Sequence, residues 1–203
     1  MTGLLIKDLL NLRKNAVMLV IFVGLFFVFG AITQSGITFG TVAATMFTLQ
    51  VLTAMSFDER AGWEKYALTM PVSRKDLVVS KYVLGILLSL VGFVINVVFF
   101  LGFSGMTMTE GLLSSLALLG VSCYFIALNL PPTFKWGVER GRLVMFVIML
   151  TPAILIPILA MGSLPTLTTE QLEQLAIGLP LLMVVLLLPS LWLSLRVYSN
   201  KEF

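Results

Sequence analysis

Residues 57–82 read FDERAGWEKYALTMPVSRKDLVVSKY, a charged and aromatic stretch set between two long apolar runs. The chain around it has 203 residues, a mean hydropathy of +1.05, 59% hydrophobic residues and 11% charged ones. That is more apolar material than a water-soluble core can enclose. Several runs reach the roughly 18 to 20 residues that a helix needs to cross a hydrocarbon layer of about 30 Å. The strands of a membrane barrel would instead show short alternating segments. The fold class is therefore an all-α integral membrane protein, and residues 57–82 are a connection outside the membrane.

Six spans follow, at about 16–33, 39–57, 81–103, 111–130, 143–162 and 176–196, none with a charged residue in its middle. The single domain covers 1–203, with short connections, no internal repeat and no low-complexity linker. All 13 Lys and Arg residues fall before the first span, between the second and third, between the fourth and fifth, or at the end of the chain. The alternate connections carry only Glu110, Glu170 and Glu173 as charges. Basic residues accumulate on the cytoplasmic side of a membrane, so both termini and residues 57–82 are expected there, in a cell membrane. The net charge of +3 thus describes orientation and not nucleic-acid binding.

The first span is too long for the apolar core of a signal peptide, and no small-x-small cleavage site follows it, so an uncleaved anchor is expected. Ahead of it, TGLLIKDLLNLRKN places Leu5, Leu9 and Leu12 on one side at helical spacing and Lys7, Asn11 and Lys14 on the other. This predicts an amphipathic helix over 2–15 lying in the interface, with Thr2 as its cap; a plain extension of the first helix is the alternative.

What is missing narrows the function. The chain has no His and one Cys, Cys123, in the middle of an apolar span, so catalytic triads, His-ligated zinc and internal disulfides are excluded. No catalytic or metal site is expected. No GxxxxGK[ST] phosphate loop occurs, and the span interiors lack the ionisable relays of ion-coupled carriers. Any energy for transport must enter from outside the membrane region.

In residues 58–70, Trp63, Tyr66 or Ala67, and Met70 recur at helical spacing, while Asp58, Glu59, Arg60, Glu64 and Lys65 take other faces. Pro71 stops that helix, and Ser73 with Asp76 makes a capping-box-like start for the next one, which runs through Lys81 and Tyr82 into the membrane. Trp63 and Tyr66 suit either a partner's pocket or the interfacial aromatic belt, with Tyr82, Trp192 and Tyr198.

The pattern DER-x-x-W-x-x-Y at 58–66, PVSRK at 71–75 and LVVSKY at 77–82 resembles the segment after the second helix in small permease subunits of type-2 ABC exporters. At subfamily level it is similar to the permeases that export phenol-soluble modulins and related amphipathic peptides. The resemblance implies a separate cytoplasmic ATPase that binds ATP and Mg, a second permease copy or paralogue, and a coupling helix at 58–70 seated on the ATPase. Asp58, Glu59, Trp63, Glu64 and Tyr66 would make or shape that contact, and Pro71, Ser73 and Arg74 would fix the elbow. No cofactor is expected on the chain itself. A non-transporting immunity or scaffold protein that recruits a cytoplasmic partner is the alternative from a different class.

Other features carry less. Pro152, Pro157, Pro180 and Pro189 can kink spans. Gly36 and Gly40 have the spacing that lets helices approach closely. Gln50, Asn96 and Asn129 are the polar residues that could line a pathway or bond between helices. Thr168 and Gln171 predict a short outer helix. Uncharged spans suit an amphipathic peptide, or else a lipid or small apolar drug, better than an ion.

Overall fold

Glycine and reciprocal side-chain caps set several of the helix boundaries. The computed structural model describes residues 2–33, 35–67, 69–103, 107–161, 178 and 180–200, with the side chains of 149 and 151–161 excepted. Helix α1 covers Thr2–Thr33, α2 Gly36–Arg60, α3 Trp63–Ala67, α4 Arg74–Phe103, α5 Met108–Trp136, α6 Val138–Met161 and α7 Leu187–Ser199; helical residues 180–185 precede α7. No strand occurs among the described residues. Five stretches, Thr2–Thr33, Gly36–Arg60, Arg74–Phe103, Met108–Trp136 and Pro180–Ser199, are long and apolar enough to cross a membrane. The 24-residue α6 contains most of the expected fifth span, and the count of six stays a sequence expectation. The expected outer helix at Thr168 and Gln171 lies outside the described residues.

Some boundaries differ from expectation. The interfacial helix over 2–15 and the first span are one continuous helix of 32 residues, because nothing between Asn15 and Ala16 breaks the chain. At 1.5 Å per residue α1 is about 48 Å long, well beyond the roughly 30 Å apolar layer. Its buried stripe is Leu4, Asp8 and Leu12, not Leu5, Leu9 and Leu12; Leu9 is exposed. The helix expected over 58–70 is also divided. Asp58 and Glu59 belong to the end of α2, Gly62 breaks the chain with φ +60°, and only Trp63–Ala67 forms the separate α3. A left-handed residue after a helix is a normal stop, and glycine takes that conformation without strain.

The cap expected at Ser73 is present. Asp76 N–H donates to Ser73 Oγ at 3.1 Å, and Ser73 N–H donates to Asp76 Oδ2 at 3.1 Å, so α4 starts beside this reciprocal pair. Thr107 and Glu110 form the same box at the start of α5, where the sequence reading treats Glu110 only as a loop charge.

Helix α5 runs past the expected end at 130 through Pro131 and Pro132. Pro131 has no N–H for the carbonyl four residues earlier, Ala127, and the Ser190 hydroxyl donates to that oxygen at 2.5 Å. With its proton so used, Ser190 must accept from the Tyr82 hydroxyl, 2.6 Å away, and Tyr82 must then accept from Ser194 at 2.8 Å. One directed chain therefore joins α7 to α4 and α5. Pro189 acts similarly on its own helix: the helix is interrupted at Leu186 and resumes with Ser190 N–H donating to the Leu186 carbonyl. Helix α6 continues through Pro152 and Pro157.

The helices α2, α4 and α5 pack on one another, with α1 against α2 and α4, α6 against α5 and α2, and α7 against α5 and α4. At one end Phe27 meets Phe39, Phe99 and Phe103 edge-on, with ring centroids 4.8 to 5.5 Å apart. Gly40 faces Leu118, Asn96 and Phe100, the close approach that its spacing suggests. At the other end Leu4, Met55, Leu77, Tyr82, Leu130, Phe134, Val138 and Tyr198 share one core. On α1, Val17, Val20, Ile21, Leu25, Val28 and Ile32 stay more than half exposed, a face suited to lipid and not to water.

Replacing Ser190 with Ala is expected to lower stability by about 1–2 kcal/mol and Tyr82→Phe by about 1 kcal/mol. Because both act on one chain of hydrogen bonds, the double variant should lose less than the sum. Unfolding of the purified protein in mixed micelles measures all three; strict additivity would show that the chain does not act as a unit.

Candidate functional site

Four charged side chains meet where α1, α2 and α4 leave the apolar layer. Each of the three most buried is carried inward by an apolar stripe. Asp8 lies between buried Leu4 and Leu12, Asp58 follows Ala54 and Met55, and Lys81 lies between Leu77 and Leu84, spacings that put each on one helix face. Asp8 is 1% exposed, and Asp58 and Lys81 are 7% exposed. Lys81 Nζ donates to Asp8 Oδ2 at 2.7 Å and to Asp58 Oδ2 at 2.6 Å. Lys7 Nζ donates to Asp58 Oδ1 at 2.5 Å. It also lies 3.0 Å from Asp8 Oδ1, within ion-pair distance but off the hydrogen-bond direction. Two ammonium groups and two carboxylates make a neutral set, as a partly dehydrated site requires.

The short α3 rests on this set. Lys7 Nζ sits 4.4 Å from the centroid of the Trp63 ring, in cation–π range, and Trp63 packs on the core formed by α2, α4 and α5. Its indole N–H is buried without a hydrogen-bond partner among the described residues. Tyr66 neighbours it, with ring centroids 5.7 Å apart, and is 58% exposed. Below α3 a cavity of about 200 Å³ is lined by Asp58, Glu59, Trp63, Glu64, Lys81 and Tyr198, among others.

Two further contacts tie the elbow to distant helices. Glu59 Oε2 accepts from Val138 N–H at 2.8 Å, placing a negative charge at the start of α6, where the helix dipole favours it. Gly137 makes the approach possible. Its φ is +86°, and a Cβ there would come within 2.8 Å of Glu59 Oε1. At the far side of the elbow, Arg74 Nη1 donates to the Ser199 carbonyl at 2.8 Å, completing the end of α7.

These positions sort the residues picked out from sequence. Trp63, Glu64, Tyr66, Pro71, Ser73 and Arg74 do surround one elbow, with Tyr66 and Pro71 exposed and Glu64 half-buried. Asp58 is turned inward and neutralised by Lys7 and Lys81, so its place is to shape the elbow. Glu59 is directed to α6. Asn96 and Asn129, read as lining a pathway or bonding between helices, are 1% and 4% exposed inside the bundle. Asn96 Nδ2 reaches the Gly40 carbonyl at 3.5 Å and Asn129 Nδ2 bonds Phe125 of its own helix at 2.8 Å; the Oδ1 atom of each is buried without a hydrogen-bond partner among the described residues. Gln50 is half-buried on α2. Pro180 is buried against Gly120. Lys7, Asp8 and Lys81 were not read as a site. The available signal was a charge on an otherwise apolar stripe, Asp8 midway between Leu4 and Leu12.

The bundle thus carries a charged elbow braced to three helices, and its sequence contains no GxxxxGK[ST] phosphate loop. The family profile described as ABC-2 family transporter protein matches residues 3–199. The chain belongs to the ABC-2 family. It is thus a multi-pass membrane protein and the permease component of an ABC transporter, a family whose membrane subunits work with an ATPase. No curated protein and no solved structure matches the chain.

Lys81→Met should destabilise this ABC-2 protein by about 3–5 kcal/mol, since it leaves an excess carboxylate in a buried site. Adding Asp8→Asn removes the excess and should recover part of the loss. Thermal unfolding in detergent compares the two; a double variant no more stable than Lys81→Met would show that charge balance is not what holds the site.

Proposed function

We propose that this ABC-2 protein is an exporter permease whose α3 and adjoining elbow form the coupling element for a separate ATPase subunit, which binds the ATP and Mg. The observation that carries the reading is the two-sided character of α3: Tyr66 is exposed, while Trp63 is held through Lys7 to the Asp8–Lys81–Asp58 set on three helices. A displacement of α3 by a partner is thereby shared by α1, α2 and α4. The cavity beneath α3 gives room for such a movement, which a close-packed core would resist. ATP-driven closure of the ATPase would bias the helices between two packings through contacts that differ in the two states.

The placement of all 13 basic residues supports cytoplasmic termini and a cytoplasmic elbow in the cell membrane. Two permeases, identical or paralogous, would flank the path. Amphipathic peptide is the cargo best suited to uncharged span interiors, with a lipid or small apolar drug as the next class.

Tyr66→Ala should weaken co-purification with the partner ATPase by about tenfold, the effect of losing one aromatic anchor, while the melting temperature of the membrane domain stays unchanged. Trp63→Ala should weaken both. ATP-dependent accumulation of an amphipathic peptide in proteoliposomes then tests the transport reading. A membrane domain that binds the ATPase yet leaves its hydrolysis and the peptide distribution unaltered would favour a recruiting scaffold instead.

A further inference from the structure

On the face formed by the start of α4 and the end of α7 lies a second charged feature. Arg74 and Lys75 from α4 and Trp192, Leu195, Arg196 and Ser199 from α7 line a cleft of about 320 Å³. Three of the six lining residues are cations and none is acidic. Arg196 lies over the Trp192 ring, 5.4 Å from its centroid, so the guanidinium is oriented by an indole that is itself 61% exposed. Arg74 already donates to the Ser199 carbonyl; Lys75 and Arg196 are exposed and supply the charge that the cleft presents.

The approach to the cleft is apolar. Leu181, Val185, Leu188 and Trp192 recur at intervals of four, three and four residues, the spacing of one helix face, and they are 58%, 58%, 70% and 61% exposed. One turn beyond Trp192 stands Arg196. An exposed aliphatic rail thus leads through an indole to a cationic pocket, the order of chemistries along a phospholipid from acyl chain through interface to phosphate. A soluble anion would need the cations but not the rail.

We propose that this cleft binds the phosphate headgroup of an anionic phospholipid, with Lys75 and Arg196 on the phosphate oxygens and the acyl chains along the apolar rail that ends at Trp192. Arginine can hold a phosphate through two hydrogen bonds and lysine acts as a point charge beside it. The site borders the far side of the elbow at Arg74 but rests on Lys75 and Arg196, and it does not depend on the identity of the cargo.

The test uses the full chain purified in nonionic detergent and titrated with short-chain phosphatidylglycerol or phosphatidylcholine. Wild-type protein should prefer the anionic lipid. Lys75→Gln combined with Arg196→Gln should reduce affinity for phosphatidylglycerol by about tenfold or more, from roughly 1 kcal/mol for each basic residue lost, and leave phosphatidylcholine binding and the melting temperature unchanged. A control with Lys135→Gln and Arg142→Gln removes the same charge elsewhere and should keep the preference. An equal loss in the control would reduce the effect to diffuse electrostatics and overturn the site, as would an undiminished preference in the Lys75 and Arg196 double variant. Displacement of the lipid by millimolar inorganic phosphate would make the ligand a soluble anion, and displacement by an oligoglutamate peptide would assign the cleft to an acidic protein segment; either result overturns the lipid reading.

Discussion

Charge cannot be left unbalanced at the edge of an apolar layer, and Lys81 is where that constraint acts on this fold. A lone ammonium or carboxylate in a dehydrated site is strongly unfavourable. Lys81 is 7% exposed and therefore needs carboxylates, which arrive from two other helices. Asp8 comes from α1 and Asp58 from α2, at 2.7 and 2.6 Å, and Lys7 restores neutrality. The register of three helices follows, because sliding any one of them by a residue would turn its charge off the shared axis. Such a set adds little net stability over an apolar one of equal volume. What it provides is a specific arrangement of α1, α2 and α4, and through Lys7 a seat for Trp63.

The two ends of the bundle are held by different physics. At the end away from the elbow, phenylalanine rings pack edge to face around Phe27, contacts that are individually weak and tolerant of small shifts. Near the elbow, directed polar links dominate: the Asp–Lys set, Glu59 on the start of α6, Arg74 on the end of α7, and the hydroxyl chain from Ser194 through Tyr82 and Ser190 to the Ala127 carbonyl. That chain exists because Pro131 removes a donor from α5 and leaves a carbonyl to be satisfied. Polar links of fixed direction carry displacement from one helix to another more faithfully than a sliding apolar contact. They are concentrated at the end that carries α3 and the elbow, the coupling element proposed above.

The elbow was legible in its parts and not in its assembly. Ser73 and Asp76 announce a helix start, Pro71 announces a stop, and both act locally, so a linear reading finds them. Gly62 was open to the same reading, yet a single glycine inside an amphipathic pattern does not reveal a left-handed residue. Asp58 and Glu59 look like surface acids beside Arg60, because their partners Lys81 and Val138 are 23 and 79 residues away. The same holds for Ser190, whose acceptor is made available by a proline in another helix.

Hydropathy, the length of the apolar runs and the partition of basic residues follow from composition and order along the chain, since the membrane acts on each segment separately. These features determined the helical membrane class, the approximate spans and, with the residue pattern at 57–82, the family. Which charged residues are buried and that Asn96 and Asn129 are enclosed were decided by tertiary structure. The physical reason is that each depends on a neighbour distant in sequence. A buried carboxylate is stable only where its counter-ion is, and the position of that counter-ion is a property of the packed helices and not of either segment alone.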